Sequence, residues 1–182
     1  MRKFVIVLLI LVASVAAVGQ NDPAKRGPST PGERKRFAAV AHKMEDSPLD
    51  PTLRKERDWA LRWLIAIPDI NVNPCEAEIL GPFAATGYRY TAEVRGQFSF
   101  SMAAFMIEHP DKAKDVPAAN TAGVVGIVKT YRAILRIDPE AQSRFLEDLS
   151  ALEREGKLAE YVKGHTKDGC KAPPETDDDS SS

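Results

Sequence analysis

Apolar residues recur at helical spacing through most of this chain, most densely from Thr91 to His109, TAEVRGQFSFSMAAFMIEH. Val94, Phe98, Met102, Phe105 and Met106 repeat three to four apart, and Phe100 and Ile107 widen the apolar face. Strand-like alternation lasts only from Phe98 to Met102. The pattern predicts a central helix with others laid around it. The first of these starts at Thr30-Pro31-Gly32-Glu33, a capping residue with proline behind it, and runs to about Glu45 with Phe37, Val40, Ala41 and Met44 on one side. Asp50-Pro51 opens the second, which reaches about Ile67; Leu53, Ala60, Leu61, Leu64, Ile65 and Ile67 form its expected buried face, flanked by Trp59 and Trp63. A brief helix from Cys75 to Leu80 precedes the Gly81-Pro82 stop.

Beyond the central helix, residues Asp111 to Asn120 are expected to form a loop and Thr121 to Ile137 a long helix. Gly123 and Gly126 lie within that helix at a propensity cost of up to about 1 kcal/mol each, which close packing on the central helix would explain. Asp138-Pro139 is expected to open a sixth helix carrying Phe145, Leu146, Leu149 and Leu152 behind Ala141, and Lys157 to Val162 a short last one. The predicted fold is all-α, a single irregular bundle or helical-hairpin stack of about six to seven helices. Its domain covers residues 30–164, after a flexible leader at 20–29 and before a polar acidic tail at 165–182 tethered at Cys170. Proline followed by an acid recurs at Pro68, Pro110 and Pro139, spacings of 42 and 29 residues. Tetratricopeptide arrays keep a period of about 34, so the motif reads as helix punctuation.

The first residues change the picture of where the protein works. Arg2 and Lys3 precede an apolar run from Phe4 to Val18, and small residues follow at cleavage spacing. The run falls short of the roughly 20 residues a spanning helix needs, so residues 1–19 are expected to be a cleaved signal peptide. The mature chain is then exported, periplasmic or extracellular, without a membrane span. Removing those 19 of 182 residues leaves 163, and losing Arg2 and Lys3 takes the formal charge from −1 to −3. A mildly acidic chain whose one basic cluster is Arg34-Lys35-Arg36 gives no electrostatic reason to expect nucleic acid. Cys75 and Cys170, an even pair in an exported protein, are expected to form a disulfide.

Candidate chemistry is sparse. His42, His109 and His165 have no helical His partner, so no zinc-ligand pair is expected, nor any other metal or cofactor. His109 suits the C-terminal end of its helix, where a cation meets the dipole. GxSxG, SxxK and phosphate-loop motifs are missing from the sequence. Glu76 and Glu78 form an acidic rim near Cys75, and Tyr88, Arg89, Tyr90 and Arg95 read as snorkelling side chains at a helix entrance. The expected function is contact with an unknown protein partner, without catalysis. The alternative is a carrier or sensor holding a small apolar ligand between helices near Phe98, Met102, Phe105 and Met106, where flexible Met beside Phe suits an adaptable pocket.

Overall fold

A capping box starts the first helix of this computed structural model, which describes residues 26–81, 83 and 86–170. Thr30 Oγ1 accepts from the Glu33 amide and the Glu33 carboxylate accepts from the Thr30 amide, so α1 (Pro31–Asp46) begins where the sequence says. Ser29, at the end of the expected leader, is buried and anchored. Its amide and hydroxyl both donate to Asp69 at 2.8 Å, and Arg34 joins the same carboxylate at 2.7 Å. Residues 1–25 and 171–182, which hold the expected signal segment and most of the acidic tail, lie outside the described residues.

Six further α-helices follow: α2 (Arg54–Ala66), α3 (Glu76–Leu80), α4 (Thr91–Glu108), α5 (Val116–Ile137), α6 (Arg144–Arg154) and α7 (Leu158–Thr166). Short 3-10 turns at Pro51–Leu53 and Pro110–Lys112 lead into α2 and out of α4. Among the described residues there is no strand, and the all-α bundle expected from periodicity is the fold. Each of the three recurring prolines stands just past a helix end, after α2, α4 and α5.

α4 is central in a literal sense. Val94, Phe98 and Met102 belong to one apolar cluster, built with α3, α5, α6 and α7, while Phe100, Ala103 and Ala104 belong to a second, built with α1 and α2. A helix apolar on opposite faces must be covered on both. The α4–α5 contact is the most extensive in the molecule, and the two helical glycines make it so. A Cβ on Gly123 would stand 2.5 Å from Phe98 Cε2 and 2.9 Å from Met102 Cγ; one on Gly126 would stand 2.5 Å from Ser101 Cβ.

Three boundaries differ from the expectation. α5 begins at Val116, five residues before Thr121, because Asp115 caps the Ala118 amide at 3.0 Å and Pro117 occupies the first turn. α6 begins at Arg144 and Asp138-Pro139 does not open it. The Asp138 carboxylate is taken by Tyr90 Oη at 2.8 Å and Arg89 at 2.9 Å, the Ala141 carbonyl by Tyr88 Oη at 3.1 Å, and the Ser143 amide by Tyr131 Oη at 3.1 Å. Three tyrosines thus hold residues 138–143 as a turn. α7 runs on to Thr166, so His165 lies on its last turn rather than in a tail. On α2 the expected buried face is also smaller: Trp63 is in the core, stacked on Phe37 at 4.8 Å, while Leu61 and Ile65 are 51% and 76% exposed.

Cys75 and Cys170 form the expected disulfide, with their Cα atoms 4.8 Å apart. It pins the chain after α7 to the start of α3, where the Cys75 amide donates to the buried Asn120 side chain of α5 at 2.9 Å. Tyr161 Oη of α7 adds a bond to the Ile79 carbonyl at 2.7 Å.

Candidate functional site

The largest concentration of buried polar atoms lies where α1, α4 and α5 converge. Glu45, near the end of α1, is only 4% exposed, and an ionised carboxylate there requires partners on every side. It has them. Ser101 Oγ donates to Oε1 at 2.7 Å, Lys129 Nζ to Oε2 at 2.9 Å, and His42 Nδ1 approaches Oε2 at 3.2 Å. Burial raises the Glu45 pKa, but the hydrogen bonds from Ser101, Lys129 and His42 outweigh it and hold the group below the ordinary carboxylate value. Gln97, itself buried, extends the seam by donating to Ser101 Oγ at 2.9 Å and to the Ala41 carbonyl at 3.1 Å.

His42 bridges two acids. Its Nε2 faces Glu108 Oε1 at 2.9 Å while Nδ1 faces Glu45, and with carboxylate oxygens at both nitrogens the ring must donate twice. Burial pulls its pKa down, but the bonds to Glu108 and Glu45 more than compensate, and the imidazolium is favoured. Serine, histidine and glutamate are therefore neighbours, but in the wrong order for nucleophilic catalysis. Ser101 gives its proton to Glu45 rather than to His42, and His42 holds no nitrogen free to take one.

Over this seam runs a groove of ≈ 430 Å³. Ser101, Phe105 and Glu108 of α4 form one side and His42 and Glu45 of α1 another, while α5 contributes Ala118, Thr121, Ala122, Val125 and Lys129. The four residues singled out for an apolar ligand are not together in it. Phe98 and Met102 are core residues pressed against Gly123, and Met106 is half-buried between the two apolar clusters. Phe105 alone faces the groove. Sequence periodicity picked out the most apolar residues, which are those the core consumes. The weaker signal was Ala118, Ala122, Val125 and Lys129, spaced three or four apart beside the buried stripe of α5.

Other candidates are used internally. Arg95 pairs with Glu76, and Tyr88, Arg89 and Tyr90 hold the 138–143 turn. His109 stands at the C-terminal end of α4, its ring tilted against that of Phe105 with centroids 4.8 Å apart. Among the described residues no group of three or more His, Cys, Asp or Glu side chains is placed to hold a metal, and no helix is long and apolar enough to cross a membrane. No protein-family model, curated protein or solved structure matches the chain.

Proposed function

We propose that this chain is an exported, non-enzymatic helical domain, periplasmic or extracellular, that works by contact with another protein through the outer face of α2. The observation that carries the reading is the exposure of Leu61 and Ile65, 51% and 76%, four residues apart on a single stripe. Full burial of such a side chain is worth about 1.5–3 kcal/mol, so covering the pair would recover a substantial part of that twice. Arg54, Lys55 and Arg62 surround the stripe on the exposed side against one carboxylate, Asp58. A second copy of the same cationic face would be repelled, so the partner that fits carries an apolar strip bordered by carboxylates. Export is supported by the signal-like residues 1–19 and by a disulfide, which oxidising compartments maintain.

The test is a photo-crosslinking amino acid at position 65, with position 160 on α7 as control, in cells that export the chain. The expected result is one adduct at position 65, competed by unlabelled protein and lost when L61E is added to the position-65 probe. Identical adducts at both positions would sink the idea.

A second reading, a carrier of a small apolar ligand, is favoured by one observation: the groove beside Phe105 is lined by Ala118, Ala122 and Val125 and is already open.

A further inference from the structure

We infer that the groove between α1, α4 and α5 binds an amphipathic monocarboxylate, its chain over Phe105, Ala122 and Val125 and its carboxylate on Lys129. The inference rests on the carrier reading and adds the ligand's chemistry to it. The apolar wall sets the tail. From Ala118 to Val125 the α5 side of the groove carries Ala118, Ala122 and Val125, and seven residues of helix rise roughly 10 Å. Phe105 faces this strip from α4.

Hydrogen-bond capacity sets the head group. Both Glu45 oxygens are engaged, Oε1 by Ser101 and Oε2 by Lys129 and His42. Both His42 nitrogens are on carboxylates. Ser101 Oγ donates to Glu45 and accepts from Gln97. Lys129 is different: its ammonium has three N–H donors, one of which reaches Glu45, and its side chain is 46% exposed. The ammonium is held in place by the buried carboxylate while two donors remain for a ligand. Around the groove the two ammonium groups of Lys129 and Lys112 stand against the carboxylates of Glu45 and Glu108, and both carboxylates are already bonded to His42. A cationic head group would be placed against Lys129 and Lys112, and a neutral one would leave the two remaining Lys129 donors without a charged acceptor.

The test is isothermal titration of the full, disulfide-intact chain at neutral pH with decanoate, decanol and decyltrimethylammonium, each below its micelle concentration. Decanoate is expected to bind at least tenfold more tightly than either analogue. K129M should abolish that preference, K129R should retain it, and A122F, which fills the groove away from the Glu45 cluster, should weaken decanoate at least tenfold in a folded protein. Equal affinity for decanoate and decanol would overturn carboxylate recognition and leave the carrier reading standing. No binding of any of the three would remove both. Undiminished decanoate binding by A122F would place the ligand elsewhere and overturn the assignment.

Discussion

Replacing Gly126 by alanine sets two effects of opposite sign against each other. Alanine favours helix over glycine by about 1 kcal/mol, so on propensity alone the variant should be the more stable. The packing points the other way. The new Cβ would stand 2.5 Å from Ser101 Cβ, where ordinary contact begins at 3.4 Å, so α4 and α5 must separate by about 0.9 Å. Ser101 Cβ is fixed to the α4 backbone and cannot swing aside. Overpacking of this kind costs about 1–3 kcal/mol, and displacing Ser101 from the Glu45 carboxylate forfeits a charged hydrogen bond of about 1.5–3 kcal/mol. The net expectation is a loss of about 1.5–5 kcal/mol. At roughly 2–4 °C per kcal/mol for a chain of this size, Tm falls by about 3–20 °C. Gly96→Ala is the control. Gly96 lies inside α4, with nothing within 4 Å of a Cβ added there, and should show the propensity gain alone, a rise of about 2–4 °C. Scanning calorimetry and urea denaturation of both variants measure the contrast. A G126A protein as stable as wild type, or shifted in the same direction as G96A, would refute close approach at Gly126.

Four further outcomes are expected. The C75A/C170A variant loses a cross-link between residues 95 apart, worth about 4–5 kcal/mol by the chain-entropy argument; a Tm unchanged from wild type would show that the disulfide adds nothing. Tyr131→Phe removes a hydroxyl that donates to Glu147 at 2.7 Å and accepts from the Ser143 amide at 3.1 Å, a cost of about 1–2 kcal/mol in urea denaturation. Burial first, then the bond to Glu147, push the Tyr131 phenol up to about 12, so Y131F should remove a late step from the phenolate absorbance titration and leave the earlier ones in place. For His42 the pKa is raised by folding, so its contribution is complete below the unfolded value of about 6.5 and disappears as pH climbs through the folded value; the stability gap between wild type and H42Q should be widest near pH 6 and closed at alkaline pH, and a gap constant across that range contradicts the bridge. Finally, Glu45 is buried and Lys129 half-exposed, so K129M should destabilise more than E45M, and the double variant should resemble E45M. Additive losses in that cycle would mean the two side chains are not coupled.

The fold was readable where local chemistry and tertiary structure agree. Thr30 and Glu33 cap α1 with no help from the rest of the chain, and the glycines at 123 and 126 announced a close helix contact that the structure contains. Reading failed where a distant side chain claimed a local signal. Asp138-Pro139 has the same form as Asp50-Pro51, yet Tyr90 and Arg89 take the Asp138 carboxylate from 48 and 49 positions upstream and no helix starts there. Asp115 was a missed opportunity, since an acid with Pro117 two residues on is a legitimate opening. Of the groove, only Phe105 and the spacing of Ala118, Ala122, Val125 and Lys129 on α5 were open to reading in advance, and its polar floor was not. His42, Glu45, Ser101 and Lys129 each sit on a helix whose pattern is plain, but only the packing of α1, α4 and α5 makes neighbours of residues 84 positions apart.

The same polar seam resolves a difficulty that α4 creates. A helix apolar on opposite faces has little in its own pattern to fix its rotation or its slide between two apolar clusters, because hydrophobic burial is non-directional. Gln97 and Ser101 supply direction. One reaches the Ala41 carbonyl of α1 and the other the Glu45 carboxylate, whose second oxygen is tied to Lys129 of α5. Any one-residue slip of α4 would leave buried Glu45 short of a donor, at a desolvation cost of about 1–3 kcal/mol or more for a charged group, and would also move Phe98 and Met102 off Gly123. Net stabilisation from such a buried pair is small and can be negative. Lys129, which completes the seam at its solvent end, is also the side chain with donors to spare. The requirement that aligns three helices therefore leaves an oriented cation at the mouth of an apolar groove.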